Sequence, residues 1–399
     1  MVTLQNAENA LKSVYLGTVT ELLNTKVNPL LTKIEQTSSD VWGKEIRKAA
    51  SWGINGGVGA GDEDGQLPAA HSNNYVQFVT TLKNLYGQIE ISDKAIRASE
   101  DGRGAFTDLL NAELEGLLTA SKFNMGRMLY GDGSGRLATV GAGANGEYPV
   151  DSANNLIEGL VVDIYSSSGA LVEGGLRIAS VDRDGKKIRF ASAPTAAVAD
   201  KSVLYVQGSK DKEITGLGAI FSDKDIYGLK RADHPFLKPY TKDVGGAIDE
   251  IVIQEAIDRL EMTSGSEVDF IACSATAKYA FQEYMAQYKR NIDIMQLDGG
   301  FKTLSYNGIP LVYDRFVEDG AMYLLNTESF KLHRLCDWRY LETENGRILR
   351  QTLGKPTYTA TLVKYCDLIC DKPYGRAKCL VKKRAKKGVF NHKKGCFRA

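Results

Sequence analysis

The chain has 399 residues, 43% hydrophobic and 25% charged, enough length for two or three packed units and a balance ordinary for soluble globular proteins. Its first residues, MVTLQNAENALKSVYLG, have no apolar core behind a basic start, and no run is long enough to span a bilayer. That argues against a secretory or membrane protein, and a soluble product of a cytoplasm is expected.

The net charge of +1 hides an asymmetry. Eight of the 50 basic residues (Lys382, Lys383, Arg384, Lys386, Lys387, Lys393, Lys394 and Arg398) fall in 381–399, leaving 42 against 49 acidic residues elsewhere. A basic tail on an acidic body pairs between copies or grips a polyanion.

In chain order, residues 1–42 read as a helix-bearing arm. Leu4, Ala7, Leu11, Val14, Tyr15, Val19, Leu22 and Leu23 form an apolar stripe, broken at Asn28-Pro29. The stripe is too narrow to fold alone, so the arm is expected to lie on a neighbour.

Residues 43–87 change character: a glycine-rich, acidic middle is flanked by strand-like segments at 46–52 and 75–79. A two-stranded finger with a flexible tip fits, and such a finger needs a partner surface. The glycines do not form a phosphate loop. GxGxxG is interrupted by Asp62, no GxxxxGK[ST] occurs, and Asp62-Glu63-Asp64 would repel phosphate. A solvated loop tip is favoured over calcium binding at these acids.

After a strand and a short helix at 82–98 comes the stretch on which the chain is organised, 104–135. Phe106, Leu109, Leu110, Leu114, Leu117, Leu118, Met125, Met128 and Leu129 recur at steps of three and four, predicting a long helix. Asp108, Glu113, Glu115, Lys122 and Arg127 fall between them, as a solvated face would, and the GDGSG cluster supplies a stop. Gly116 and Gly126 each cost about 1 kcal/mol against Ala, so tertiary contacts must hold the helix.

Residues 155–208 turn to short strands, with Asp184-Gly185 a hairpin signal and Ser167-Ser168-Gly169 a second turn. A small barrel or sandwich inserted in the chain is expected. Residues 215–350 then alternate helices and strands as a mixed α/β unit. A helix at 247–262 is placed on Ile248, Ile251, Val252, Ala256 and Leu260, and Ser274 is positioned to cap another reaching about Tyr288. Residues 357–363 and 366–370 read as two late strands in need of a partner.

Chemistry is sparse. His71, His234, His333 and His392 form no HxxxH or HExxH pair, no GxSxG elbow occurs, and Asp314 and Asp337 read as capping or ion-paired acids. No catalytic, cofactor-binding or metal-ligating residue and no cofactor is predicted. The six cysteines form no CxxC, and Cys366 and Cys370 on one strand face are about 13 Å apart, too far to bond. Buried thiols are expected, with an intersubunit bond between Cys379 and Cys396 the alternative.

The order of segments resembles the major capsid proteins of tailed bacteriophages, the Hong Kong 97-type fold shared with encapsulins. GQIEISDKAI (87–96) is similar to the strand entering that family's peripheral domain, and the helix ending LYGDGSG (129–135) to its spine helix. VDFIACS (268–274), Gly299-Gly300, NGIPLVYD (307–314) and AMYLLN (321–326) are similar to its axial domain, and DLICDKP (367–373) to the returning peripheral strand.

The resemblance implies an α+β chain divided into N-arm (1–42), E-loop (43–87), peripheral domain (88–140 and 351–380), inserted β domain (141–215), axial domain (216–350) and basic C-arm (381–399). It implies a non-enzymatic subunit that forms pentamers and hexamers around double-stranded DNA, held without sequence specificity. Portal, scaffolding and cement or decoration proteins are the further partners implied, and no membrane is. The place implied is the virion, with assembly in a host cytoplasm. Trp42, Lys44, Trp52, Tyr75, Phe78, Lys382, Lys383, Arg384, Lys386 and Lys387 are the expected intersubunit contacts.

The inserted β domain departs from the minimal fold and is expected on the outer surface. The tail reads as docking on an acidic neighbour, with genome contact and disorder as alternatives. An encapsulin-like compartment is the nearest rival, and a carboxylate-based hydrolase on the α/β half the rival from another class.

Overall fold

A computed structural model describes residues 28–94, 105–246, 248–288, 294–296, 302–342, 346 and 348–381. Most of the N-arm, Gly299-Gly300, Lys382, Lys383, Arg384, Lys386, Lys387 and Cys396 lie outside the described residues. The described architecture is α+β: one long helix, two of 14 and 15 residues, two single-turn helices at Pro29–Lys33 and Leu217–Ile220, and four sheets.

The long helix runs Ala105–Tyr130, 26 residues, about 39 Å at 1.5 Å each. Leu118, Met125, Met128 and Leu129 are buried, as their spacing predicts, and so is Phe123. Arg127 is a correction: placed on the solvated face by its charge, it is 3% exposed and paired with Glu213. Local periodicity could not show that partner, because it arrives 86 positions later in the chain. The two internal glycines differ in reason. A Cβ on Gly126 would lie 2.4 Å from Asn28 Oδ1 and 2.5 Å from Phe316 Cε2, so a side chain there is blocked. Nothing approaches Gly116 within 4 Å.

Beside this helix stands a five-stranded sheet built on one strand, Thr357–Cys370. Lys83–Ser92 pairs with it antiparallel, from Thr357 opposite Ser92 to Cys366 opposite Lys83. On its other edge run Phe330–Tyr340 and Arg350–Gln351, and Glu35–Thr37 lies parallel to Phe330–Tyr340. The sequence reading broke the central strand at its polar middle. It stays whole because Lys364, fully buried, reaches Asp337 at 3.0 Å.

The second sheet has seven strands in the order Tyr240–Asp243, Ala377–Leu380, Ala321–Leu325, Phe270–Cys273, Ile309–Tyr313, Lys302–Tyr306, Ile294–Gln296. Helices Glu250–Ser264 and Ala275–Tyr288 share its separate core, with Ile253, Ala256, Leu260 and Phe281 against Ile271, Leu311 and Leu324. Asp249 caps the first helix through Val252 N–H at 2.8 Å, and Ser274 Oγ accepts from Ala277 N–H at 3.3 Å at the second. Ile248, Ala256 and Leu260 of the expected stripe are fully buried, whereas Ile251 is exposed and Ile253 is buried in its stead.

Sheet membership crosses the expected boundary at 350/351. Phe330–Tyr340 joins the five-stranded sheet, and Ala377–Leu380 lies inside the seven-stranded one. Both placements are set by pairing across the chain, which local pattern does not encode.

Following the long helix in the chain, six strands from Arg136–Val140 to Ser202–Val206 enclose a third core of Val140, Leu156, Val162, Ile164, Ile178 and Leu204. The terminal strands of its order are joined as well: Val140 sits opposite Val150, with Gly141 N–H on Pro149 O and Asp151 N–H on Thr139 O. The sheet therefore closes into a small barrel, which removes its free edges. Both expected turns occur, at Gly169 (φ +86°) and between Asp182 and Lys187.

The last sheet is the finger: Glu45–Trp52 paired with Asn74–Thr81 in register from Glu45 opposite Thr81 to Trp52 opposite Asn74, with Val41–Trp42 at its edge.

Candidate assembly surface

The finger divides by burial. Ile46 and Phe78 are fully buried and Ala50 nearly so, all packed into the main core of the same chain. The Phe78 ring lies 5.0 Å from that of Tyr227, and Val79 N–H donates to Tyr227 O at 3.0 Å. Lys48 Nζ meets Asp371 at 2.8 Å, and Thr80 Oγ1 donates to Asp367 at 2.7 Å. Asp367 also accepts from Thr215 N–H at 2.7 Å and Leu368 N–H at 2.9 Å, and its full burial raises its pKa. Alternation along 75–79 correctly demanded a covered face. The cover is the chain itself, so Phe78 cannot be the intersubunit contact expected of it.

Residues 28–37 correct the arm in the same way. Leu30 and Leu31 are 1% and 2% exposed against the main core, not held for a neighbour.

Beyond Trp52 the finger has no such cover. No residue from 53 to 75 is buried. Ile54 and Val58 are each 88% exposed and Leu67 91%, an apolar set the reading of a polar, glycine-rich tip had missed. Single hydrophobes spaced through a glycine-rich loop were the available signal. Trp42 and Tyr75 are open at 71% and 63%, and Lys44 is exposed. Trp52 is partly covered by stacking on Phe236 at 5.3 Å.

The remaining predicted positions hold structure rather than chemistry. His333 Nδ1 lies 2.9 Å from Ser39 O, and burial lowers its pKa. Asp314 accepts from Phe316 N–H at 3.0 Å, and burial pushes its carboxyl up to about 6. Asp337 is ion-paired with Lys364 and Arg334. Cys273 and Cys366 are buried thiols pushed up to about 12, and Cys379 to about 11. Cys379 is wholly enclosed between Tyr240–Asp243 and Ala321–Leu325, so it is unavailable for a bond between subunits. Among the described residues no group of three metal-ligating side chains comes together. A cleft of about 930 Å³ between the barrel and the Ala275–Tyr288 helix mixes Arg183, Lys186 and Arg315 with Asp151, Asp314 and Asp319, and so favours neither sign of ligand.

No protein-family model matches the sequence, and no curated protein does. Solved structures do. The capsid asymmetric unit of cyanophage A-1(L) matches with a TM-score of 0.50 at 12% identity, over 91% of this chain and 92% of that one. The chain has the fold of a tailed-phage capsid subunit. An encapsulin complex of Synechococcus elongatus PCC 7942 matches at 0.47 and 12% identity, over 90% of each chain. Mycobacterium phage Bobi matches at 0.42 and 9%, over 96% and 99%.

Proposed function

We propose that this protein is the structural subunit of an icosahedral phage head, assembling into pentamers and hexamers that enclose double-stranded DNA. The observation that carries the reading is a capsid fold whose finger leaves the trunk with Ile54, Val58 and Leu67 exposed at its tip. Isolated apolar side chains on a protruding loop gain free energy only when another surface covers them, so the same force that folds the trunk drives assembly. Many weak contacts of this kind add through effective concentration.

In this reading the subunit catalyses nothing and resides in the virion, after assembly in a host cytoplasm. Its N-arm, E-loop, peripheral, inserted, axial and C-arm segments divide the labour of contact. Trp42, Lys44, Trp52 and Tyr75 contribute at the finger, and Lys382, Lys383, Arg384, Lys386 and Lys387 dock on an acidic neighbour. Portal, scaffolding and cement proteins complete the head, and the net-acidic body keeps DNA from adhering along its length. Electron microscopy of the purified protein tests the proposal. Closed shells carrying nuclease-protected DNA are expected. Empty shells around a protein cargo would favour an encapsulin-like compartment, and a monomer at all concentrations would refute both.

A further inference from the structure

Besides Lys48–Asp371 and Thr80–Asp367, the root of the finger is fastened to its own trunk at a backbone turn. Ile226 and Leu229 exchange backbone hydrogen bonds at 3.2 and 3.0 Å across a two-residue turn, with Tyr227 at φ +54° and Gly228 at +75°. Both values lie in the left-handed region that such primed turns require, which glycine adopts freely and tyrosine does not. Tyr227 is held there by what surrounds it. Its ring packs on Phe78, its carbonyl accepts from Val79 N–H, and its hydroxyl accepts from Cys370 N–H at 2.9 Å. Gly228 is favoured by its φ and not by crowding, since a Cβ there would stand in ordinary contact, 3.5 Å from Val79 O. A strained residue kept by contacts on both sides marks a point that the structure over-determines.

Further out the attachments end abruptly. The last is the Trp52 indole, lying nearly parallel to Phe236 (8° between planes) and still 39% exposed. The next residue, Gly53, has φ +71° and stands beside Asn74, where strand pairing stops.

We propose that the finger bends at Gly53 and Asn74. The Tyr227–Gly228 turn clamps its root to the trunk, and the Trp52–Phe236 stack is a latch that opens when the tip engages a neighbour. The inference rests on the shell-building reading only for its last clause. The root, 45–50 with 76–81, stays fixed in every state, and the movable part is confined to 52–75, Trp52 and its partner Asn74 moving once the stack opens.

Hydrogen exchange on the isolated, full-length subunit tests the clamp without any shell being formed. Amides of the root are expected to exchange slowly and those of 53–73 fast. Phe236→Ala should raise exchange at residues 51, 52, 74 and 75 by roughly three- to tenfold, the scale of one aromatic pair, and leave the root unchanged. Tyr227→Phe, which keeps the ring and removes the hydroxyl, should loosen the root while leaving the latch in place. Root amides that exchange as fast as the tip, or a Phe236→Ala variant that frees root and tip together, would overturn the proposal. In assembled particles the change in exchange should be confined to 52–75. A root that opens on assembly would refute the fixed clamp while leaving the shell-building role intact.

Discussion

Replacing Glu213 by Gln should cost this fold about 3–5 kcal/mol, the scale for leaving a buried cation without its counter-charge. Arg127 Nη1 and Nη2 reach the Glu213 carboxylate at 2.8 and 2.5 Å, and the two side chains are 3% and 2% exposed. The pair stands at the neck of the barrel, where Asp211 N–H reaches Ser134 O at 2.8 Å and Glu213 N–H reaches Gly133 O at 3.3 Å. Asn124 is 3.5 Å from Nη2, too far to replace the lost carboxylate. Urea unfolding of Glu213→Leu, Arg127→Met and the double variant forms a cycle beside Glu213→Gln. Each single change should fall in the stated range, and the Leu/Met double variant should recover most of the loss, because an apolar pair asks for no desolvation of charge. A single variant within 1 kcal/mol of the parent would refute the claim that this pair is dry and uncompensated.

Three further outcomes follow from the same geometry. Gly126→Ala should destabilise by about 1–3 kcal/mol through overpacking against Asn28 and Phe316, whereas Gly116→Ala, open on all sides, should gain up to about 1 kcal/mol; thermal unfolding separates them. Asp314 has its folded pKa raised from 3.8 to about 6, so its neutral form is favoured and its contribution falls as pH climbs from about 4 to 6. Asp314→Asn should therefore equal the parent near pH 4 and exceed it by about 3 kcal/mol above pH 6 in denaturant titrations, and a constant offset would refute this. Changing Ile54, Val58 and Leu67 together to Ser should leave subunit stability within about 0.5 kcal/mol and lower the yield of particles by sedimentation.

Elements with a strong local period were legible in the sequence. The long helix, the finger strands and the Asp184-Gly185 turn announce themselves within a few residues, because spacing and turn chemistry are local properties. What could not be read inside the fold was a partner far along the chain. Arg127 looks solvated until Glu213 is folded against it, and Lys364 looks like a strand break until Asp337 is beside it. Phe78 shows the same limit at the candidate surface: alternation says that one face is covered, and cannot say by which molecule. Exposure at Ile54, Val58 and Leu67 was hidden for the opposite reason, since composition averages three hydrophobes away among glycines and acids.

The topology also governs when a subunit becomes competent. Thr357–Cys370 is the spine of one sheet and Ala377–Leu380 an interior strand of another, between partners that were synthesised long before. Until those segments leave the ribosome, Lys83–Ser92 and Tyr240–Asp243 have no strand to pair with, and such long-range closure is slow. A translation product cut short before residue 357 therefore presents no finished trunk for its finger to extend from. If the chain builds a shell as proposed, premature fragments are barred from it by the order of synthesis itself.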